Sequence, residues 1–228
     1  IFPPDINGPA SYGETLAKKL AGAHSVSLVT YSSKSRFPGD KNQPFKIIRI
    51  AKWIPKFLRH FVFFVKTLFA AKNADVIFSL NAVSAGLPAL WAAKIRKKRF
   101  FVKIVGDYAW ETAVNRGKTF LLIDDFQKSK RHGWIGTLHK YQARVCRGAD
   151  GVIVPSNYLA DMVKNWGVPE EKIQVVYNGV DFKPTDITKE EARKKIGIAG
   201  NIIISIGRLV PWKGFRMLIK IMPRLFEI

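Results

Sequence analysis

Two cations flank a short loop near the end of the chain: Arg208 and Lys213, in the run NIIISIGRLVPWKGF over 201–215. A planar guanidinium fork and an ammonium point charge in one loop suit a diphosphate. Ile202-Ile203-Ile204-Ser205-Ile206 has the β-branched, apolar character of a strand buried on both faces. Gly207 ends that run, and Gly214 opens an expected helix over 215–226. A strand, a tight loop and a helix start present free backbone N–H groups and the positive end of a helix dipole. On spacing alone the same stretch reads equally as a strand-to-helix turn carrying two solvated cations.

A second candidate cluster is Gly106-Asp107-Tyr108-Ala109-Trp110-Glu111, directly after an expected strand over 100–105. Ligands of open α/β sheets bind at the carboxyl ends of the strands, which makes Asp107 and Glu111 candidate catalytic or sugar-binding carboxylates. The plainer reading of Asp107 is a cap on the next helix. Asp124 and Asp125 are adjacent and point apart in any regular element, so they make a poor metal site, and no Cys or His is suitably spaced. His139 and Cys146 fall on an expected helix over 134–147, as a surface or core histidine and a small packed thiol.

The elements that must position these groups alternate along the chain. Expected strands lie at 26–30, 47–50, 74–80, 100–105, 149–154 and 173–177, with helices between them. Near-continuous apolar strands joined through helices specify an α/β fold with a parallel sheet. Pro3-Pro4 through Pro9 is a loop, Ser11 to Glu14 fits a capping box, and Thr188 with Glu191 fits another. Ser156 is an expected N-cap. Lys52–Lys72 is a basic amphipathic helix rich in Phe and Trp, with Lys52, Lys56, Arg59, His60 and Thr67 near one side. Its wide apolar side is expected to cover the sheet, with a shared role at a membrane interface as the alternative.

Composition narrows the function classes. The 228 residues are 47% hydrophobic, enough for a substantial core and unlike a disordered chain. One cysteine excludes an internal disulfide and fits a reducing compartment. Thirty-eight Lys and Arg against seventeen Asp and Glu give +21, which favours an anionic partner: a phosphorylated small molecule, an anionic bilayer surface or nucleic acid. Nucleic acid would call for basic residues interleaved with exposed aromatics, and most aromatics here sit on apolar faces or in strands.

GRLVPWKGF, together with VPSNYLADMV and WGVPEEKIQVVYNGVD at 154–181, resembles the family-4 retaining glycosyltransferases of the GT-B fold. The resemblance implies two Rossmann-like domains, 1–167 on the acceptor side and 168–228 as the incomplete start of the nucleotide-sugar domain. It implies that Arg208 and Lys213 grip the donor diphosphate, and that Gly8 lets the N-terminal loop approach it. The family often has two adjacent glycines there, and this chain has Asn7-Gly8. VGDYAWE matches one branch of the family. The histidine that many members carry near this point has no counterpart between His60 and His132. No pair of glutamates has the family's seven-residue separation, so the chain reads as a fragment, inactive by itself, of a longer enzyme.

The implied reaction is sugar transfer from a nucleotide-diphospho-sugar to an acceptor, on a lipid-linked or membrane-proximal glycan of the cell envelope. Neither metal nor cofactor is expected, and no Asp-x-Asp triplet is present. The implied place is the cytoplasm, peripheral to the inner face of the membrane. A non-catalytic basic binding domain and a GT-B sugar-nucleotide epimerase are the alternatives, and the VPWKGF form of the signature argues against the epimerase.

Overall fold

The computed structural model describes residues 2–5, 8–179 and 184–226. Strands β1 (Ser27–Ser32) and β2 (Lys46–Ala51) pair in parallel, with Ser27 opposite Lys46 and Ser32 opposite Ala51. Strands β3 (Val76–Ser79), β4 (Arg99–Lys103), β5 (Gly151–Val154) and β6 (Ile173–Val175) form a second parallel sheet in that order. Parallel neighbours require crossovers. Helix α3 (Gly86–Arg96) joins β3 to β4; α4 (Tyr108–Asn115), α5 (Ile123–Lys128) and α6 (Gly133–Gly148) lie between β4 and β5; α7 (Asn157–Asn165) precedes β6. Helix α1 (Gly8–Ala21) comes before β1 and α2 (Lys56–Ala70) follows β2, while α8 (Lys189–Ile196) and α9 (Phe215–Leu225) lie in the last fifth of the chain.

By packing, the chain divides into two units: Ile1–Glu111 with Leu121–Tyr177, and Thr112–Phe120 with Asn178–Ile228. The first unit holds both sheets. Its main core joins the inner faces of β4 and β5 (Phe100, Val102, Val152, Val154) to Leu90 of α3, Val145 of α6 and Val163 of α7. Each such side chain, fully buried, contributes about 1.5–3 kcal/mol. Cys146 belongs to this core at 0% exposure, and burial pushes its thiol up to about 12. At Gly151 a Cβ would meet the Phe101 ring at 2.7 Å, so the strand pair closes only over a glycine.

Two expected caps are present. The Ser156 hydroxyl accepts from the Leu159 amide at 3.3 Å, and Thr188 with Glu191 forms a reciprocal capping box on α8. The box expected at Ser11 is not, because α1 already starts at Gly8 and Ser11 lies inside it. Pro9 does not block that earlier start, since a first-turn residue has no use for an intrahelical N–H bond. The polar stretch 115–133 contains α5, whose Phe126 is buried.

Helix α2 is oriented differently from the sequence expectation. Phe63 and Thr67 face inward, and the half-buried His60 bonds the Tyr31 hydroxyl of β1 at 2.7 Å. Phe57, Phe61 and Phe69 of the wide apolar side face outward. The inward side is narrow because it lies over only two strands and a neighbouring helix.

In the second unit, 202–206 is not a strand. Ile204 and Ile206 are 76% and 93% exposed, and none of the described residues from 184 onward is buried. A β-branched run becomes a strand only with a ladder partner, and the described residues of this unit supply none.

Pro3, ahead of α1, is held by Arg49 of β2, whose side chain is 2% exposed. Its guanidinium forks onto Asp40 at 2.6 and 2.8 Å and donates to the Pro3 carbonyl at 2.6 Å and to Ser32 Oγ at 3.1 Å. The Phe37 and Phe2 rings lie 4.6 and 5.6 Å from it. Arg49 holds the Asp40 carboxyl below its ordinary value of 3.8. A depressed carboxyl pKa contributes stability that is fully present above 3.8 and disappears as pH falls through the lower folded value. Asp40→Ala leaves the buried guanidinium unpaired and is expected to cost about 3 kcal/mol by chemical denaturation at neutral pH. The difference from wild type should shrink as pH drops below 3.8.

Candidate functional site

Residues of β2 and just beyond β1 and β2 hold Pro3 and Asp5, ahead of α1. Arg49 grips Pro3; Lys52, just after β2, pairs with Asp5 at 2.9 Å; and the Ser33 amide, just after β1, donates to Asp5 at 3.2 Å. The Lys52 ammonium holds the Asp5 carboxyl below its usual range. Helix α1 then abuts the ends of β3 and β4: Tyr12 receives Lys103 Nζ over its ring at 3.9 Å, and Gly13 packs on Leu80. Gly8 is the first residue of this helix, while its partner Asn7 lies outside the described residues.

Between the ends of β3 and β4 lies a cavity of about 70 Å³. Leu80, Asn81, Lys103, Gly106, Glu111 and Trp166 are among its walls. Asn81 shapes its rim: its Oδ1 accepts from the Val83 and Ser84 amides at 2.9 and 2.8 Å and turns the chain into α3. Lys103 is 3% exposed on the last residue of β4. Glu111 reaches back over Gly106, where an added Cβ would come within 2.6 Å of Glu111 Oε1. The cavity is therefore lined by both a lysine and a glutamate.

Asp107 stands beside this cavity but is not among its walls. It is 0% exposed. Its Oδ1 accepts from the Trp110 amide at 3.0 Å and Gln142 Nε2 at 2.8 Å, and its Oδ2 accepts from Gln127 Nε2 at 2.7 Å. It thus caps α4 and ties that helix to α5 and α6. Trp166 Nε1 donates to Gln127 Oε1 at 3.0 Å, and the Ala109 amide donates to Gln142 Oε1 at 3.3 Å. Arg131 donates to the Phe126 and Gln127 carbonyls at 3.0 and 2.6 Å. His139 stacks edge-on against Trp166, and burial, with Arg131 and Arg147 nearby, lowers its pKa against the opposing pull of Asp107. Asp124 accepts from the Tyr158 hydroxyl at 2.7 Å. Among the described residues no three His, Cys, Asp or Glu side chains are grouped to hold a metal, and no helix is long and apolar enough to cross a membrane.

Arg208 and Lys213 belong to the second unit. The chain runs from Gly207 through a 3-10 turn at Pro211–Lys213 to Gly214 at φ 74°, which starts α9. Both cations are exposed, and the Lys213 stem and the Phe215 ring lie beside Gly207. The first intrahelical bond across the junction is Leu218 N to the Gly214 carbonyl at 2.9 Å, so Gly214 leads directly into a helix start beside Lys213.

Sequence reasoning missed Lys103, Gln127 and Gln142. Lys103 left a signal, a lone cation inside the apolar run FFVKIV. The glutamines left none, because an amide on a helix is ordinary until a buried carboxylate faces it.

A parallel α/β unit with its polar groups gathered at the strand ends has a Rossmann-like architecture. Residues 6–183 match the model of Glycosyltransferase Family 4, and the chain belongs to that family. An uncharacterized glycosyltransferase of Methanocaldococcus jannaschii, MJ1607, is 34% identical over 84 residues, which are 33% of this chain and 22% of that protein. Among solved structures, Anabaena Alr3699/HepE in complex with UDP and glucose shares the fold with a TM-score of 0.66 at 18% identity. Its complex with UDP-glucose gives 0.64 at the same identity. These alignments cover 98% of this chain and 56% of HepE, so the chain spans about half the length of that relative. The parallel α/β fold read from the alternation of strands and helices is thus the fold present.

Asp107→Asn places a donor amide against donors that already fill the carboxylate. It is expected to lower stability by roughly 1–3 kcal/mol in thermal or chemical unfolding with no ligand present. An unchanged midpoint would remove the structural role assigned to this carboxylate.

Proposed function

We propose that this chain supplies the acceptor-side domain and the donor-diphosphate segment of a retaining glycosyltransferase. The reaction moves a sugar from a nucleotide-diphospho-sugar to an acceptor hydroxyl. The bond from the anomeric carbon to the diphosphate breaks, a bond to the acceptor oxygen forms on the same face, and the acceptor proton passes to the departing diphosphate. The observation that carries the reading is the family-matched chain leading into exposed Arg208 and Lys213 at the start of α9. Charge developing on the diphosphate is met by the two cations and the helix-start N–H groups, an arrangement that needs no metal ion.

Within the first unit, Glu111 and Lys103 face the acceptor hydroxyl from the cavity, and Gly8 admits the donor backbone-close at the start of α1. Asp107 acts by holding α4, and with it Glu111, in place. HepE's complexes contain UDP, glucose and UDP-glucose, which makes UDP-sugars the first donors to test ahead of GDP- and ADP-sugars. The acceptor is presented at an anionic membrane surface on the cytoplasmic side, as the +21 charge suggests.

In a transfer assay on the protein carrying this chain, Arg208→Ala and Lys213→Ala are each expected to lower kcat/KM by roughly 10²–10³. EDTA is expected to leave the rate unchanged. Full activity in both variants would refute the diphosphate assignment. Gly106→Ala, which displaces the Glu111 carboxylate, is expected to lower kcat while leaving donor KM in place; equal kcat would take Glu111 out of the reaction.

A further inference from the structure

We infer that α2 and α3 together form a face that docks on an anionic phospholipid bilayer. The observation behind this is the orientation of α2, whose inward side is already packed against the rest of the first unit. Phe63 is 4% exposed and stacks on Tyr31 at 4.7 Å, Thr67 is 6% exposed, and His60 bonds Tyr31. The other side is uncovered, with Phe57, Phe69 and Phe61 exposed by 90%, 68% and 59%. The patch continues onto the neighbouring helix. Phe61 meets Phe64 at 6.5 Å and Phe64 meets Trp91 of α3 edge-on at 6.5 Å, while Ile95 extends the ridge one turn further.

Charge selects the occupant. From Lys41 to Gly106 the chain has fourteen Lys and Arg and a single acid, Asp75. Lys56, Lys66 and Lys94 are exposed on the same two helices. A second copy would bring two strongly cationic faces together, which like-charge repulsion opposes. Single-stranded nucleic acid would use aromatic faces for stacking. Leu58 and Ile95, also exposed in the ridge, have no π-face to offer a base but bury equally well in acyl chains. An apolar ridge with cations on its flanks is the pattern of a helix lying in a membrane interface, where Trp and Phe enter the acyl boundary and Lys meets anionic headgroups.

The inference gives a partner to the membrane-proximal acceptor proposed above and rests on that reading for its purpose. Binding itself is read without donor or acceptor, so failure of one leaves the other standing. The test is co-sedimentation of the whole protein with vesicles of phosphatidylcholine alone and of phosphatidylcholine with phosphatidylglycerol at low salt. The expected result is partitioning onto the anionic vesicles only, decreasing as salt is raised. Phe57→Ser with Phe61→Ser should weaken it by roughly tenfold or more. Lys56→Glu with Lys66→Glu should weaken it by a similar factor. Both pairs are exposed, so the circular dichroism spectrum should match wild type. No binding at low salt overturns the inference. So does a wild-type dimer in sedimentation velocity that the Phe pair abolishes, and so does tighter binding to a single-stranded oligonucleotide than to the vesicles.

Discussion

A fully buried carboxylate with three hydrogen-bond donors organises the first unit. Asp107 has no solvent to stabilise its charge, so the fold must supply partners, and it draws them from three helices. Through Trp110 it sets where α4 begins, and through Gln127 and Gln142 it fixes where α5 and α6 lie at the end of β4. Trp166, bonded to the same Gln127, brings in the end of α7. The walls of the neighbouring cavity follow from this arrangement. Glu111 sits one turn along α4, Trp166 closes another side, and Gly106 leaves the space into which Glu111 folds back.

A second buried ionic contact organises the residues ahead of α1. Arg49 and Asp40 set the position of Pro3, and Asp5 is tied to Lys52 and Ser33. Helix α1 presses Tyr12 and Gly13 against Lys103 and Leu80 at the ends of β3 and β4. Both anchors involve charges a sequence would assign to the surface. In a parallel sheet the strand interiors are taken by apolar packing, so polar specificity accumulates where the strands stop.

The sequence was informative where structure follows from neighbours along the chain. Apolar β-branched runs marked all six strands of the first unit, and Ser156 and Thr188–Glu191 announced their helices through local hydrogen bonds. It was uninformative where partners come from afar. Ile202–Ile206 has every local property of a buried strand and no ladder partner among the described residues. The amphipathic pattern of α2 was visible, but not which side the sheet would take: His60 and Phe63 went inward because Tyr31 offered a hydroxyl and a ring there. Asp107 could be read as a ligand or as a cap, and only the two glutamines, 20 and 35 residues further on, show how its second oxygen and remaining lone pairs are occupied. The cationic loop of Arg208 and Lys213 stood out through its spacing, and it lies beyond the residues that match the family model.

The chain's one thiol lies at the centre of the first unit's core, on the side of α6 that faces the sheet. With no exposure and a suppressed thiolate, Cys146 cannot meet an aqueous alkylating reagent while α6 remains seated. Its labelling rate is therefore a clock for the opening of that helix, built into the native sequence and free of background from any other cysteine. Because Gln142 and Cys146 are one turn apart on α6, the same opening that exposes the thiol also releases the hold on Asp107. A single chemical trace thus follows the integrity of the core and of the candidate site together.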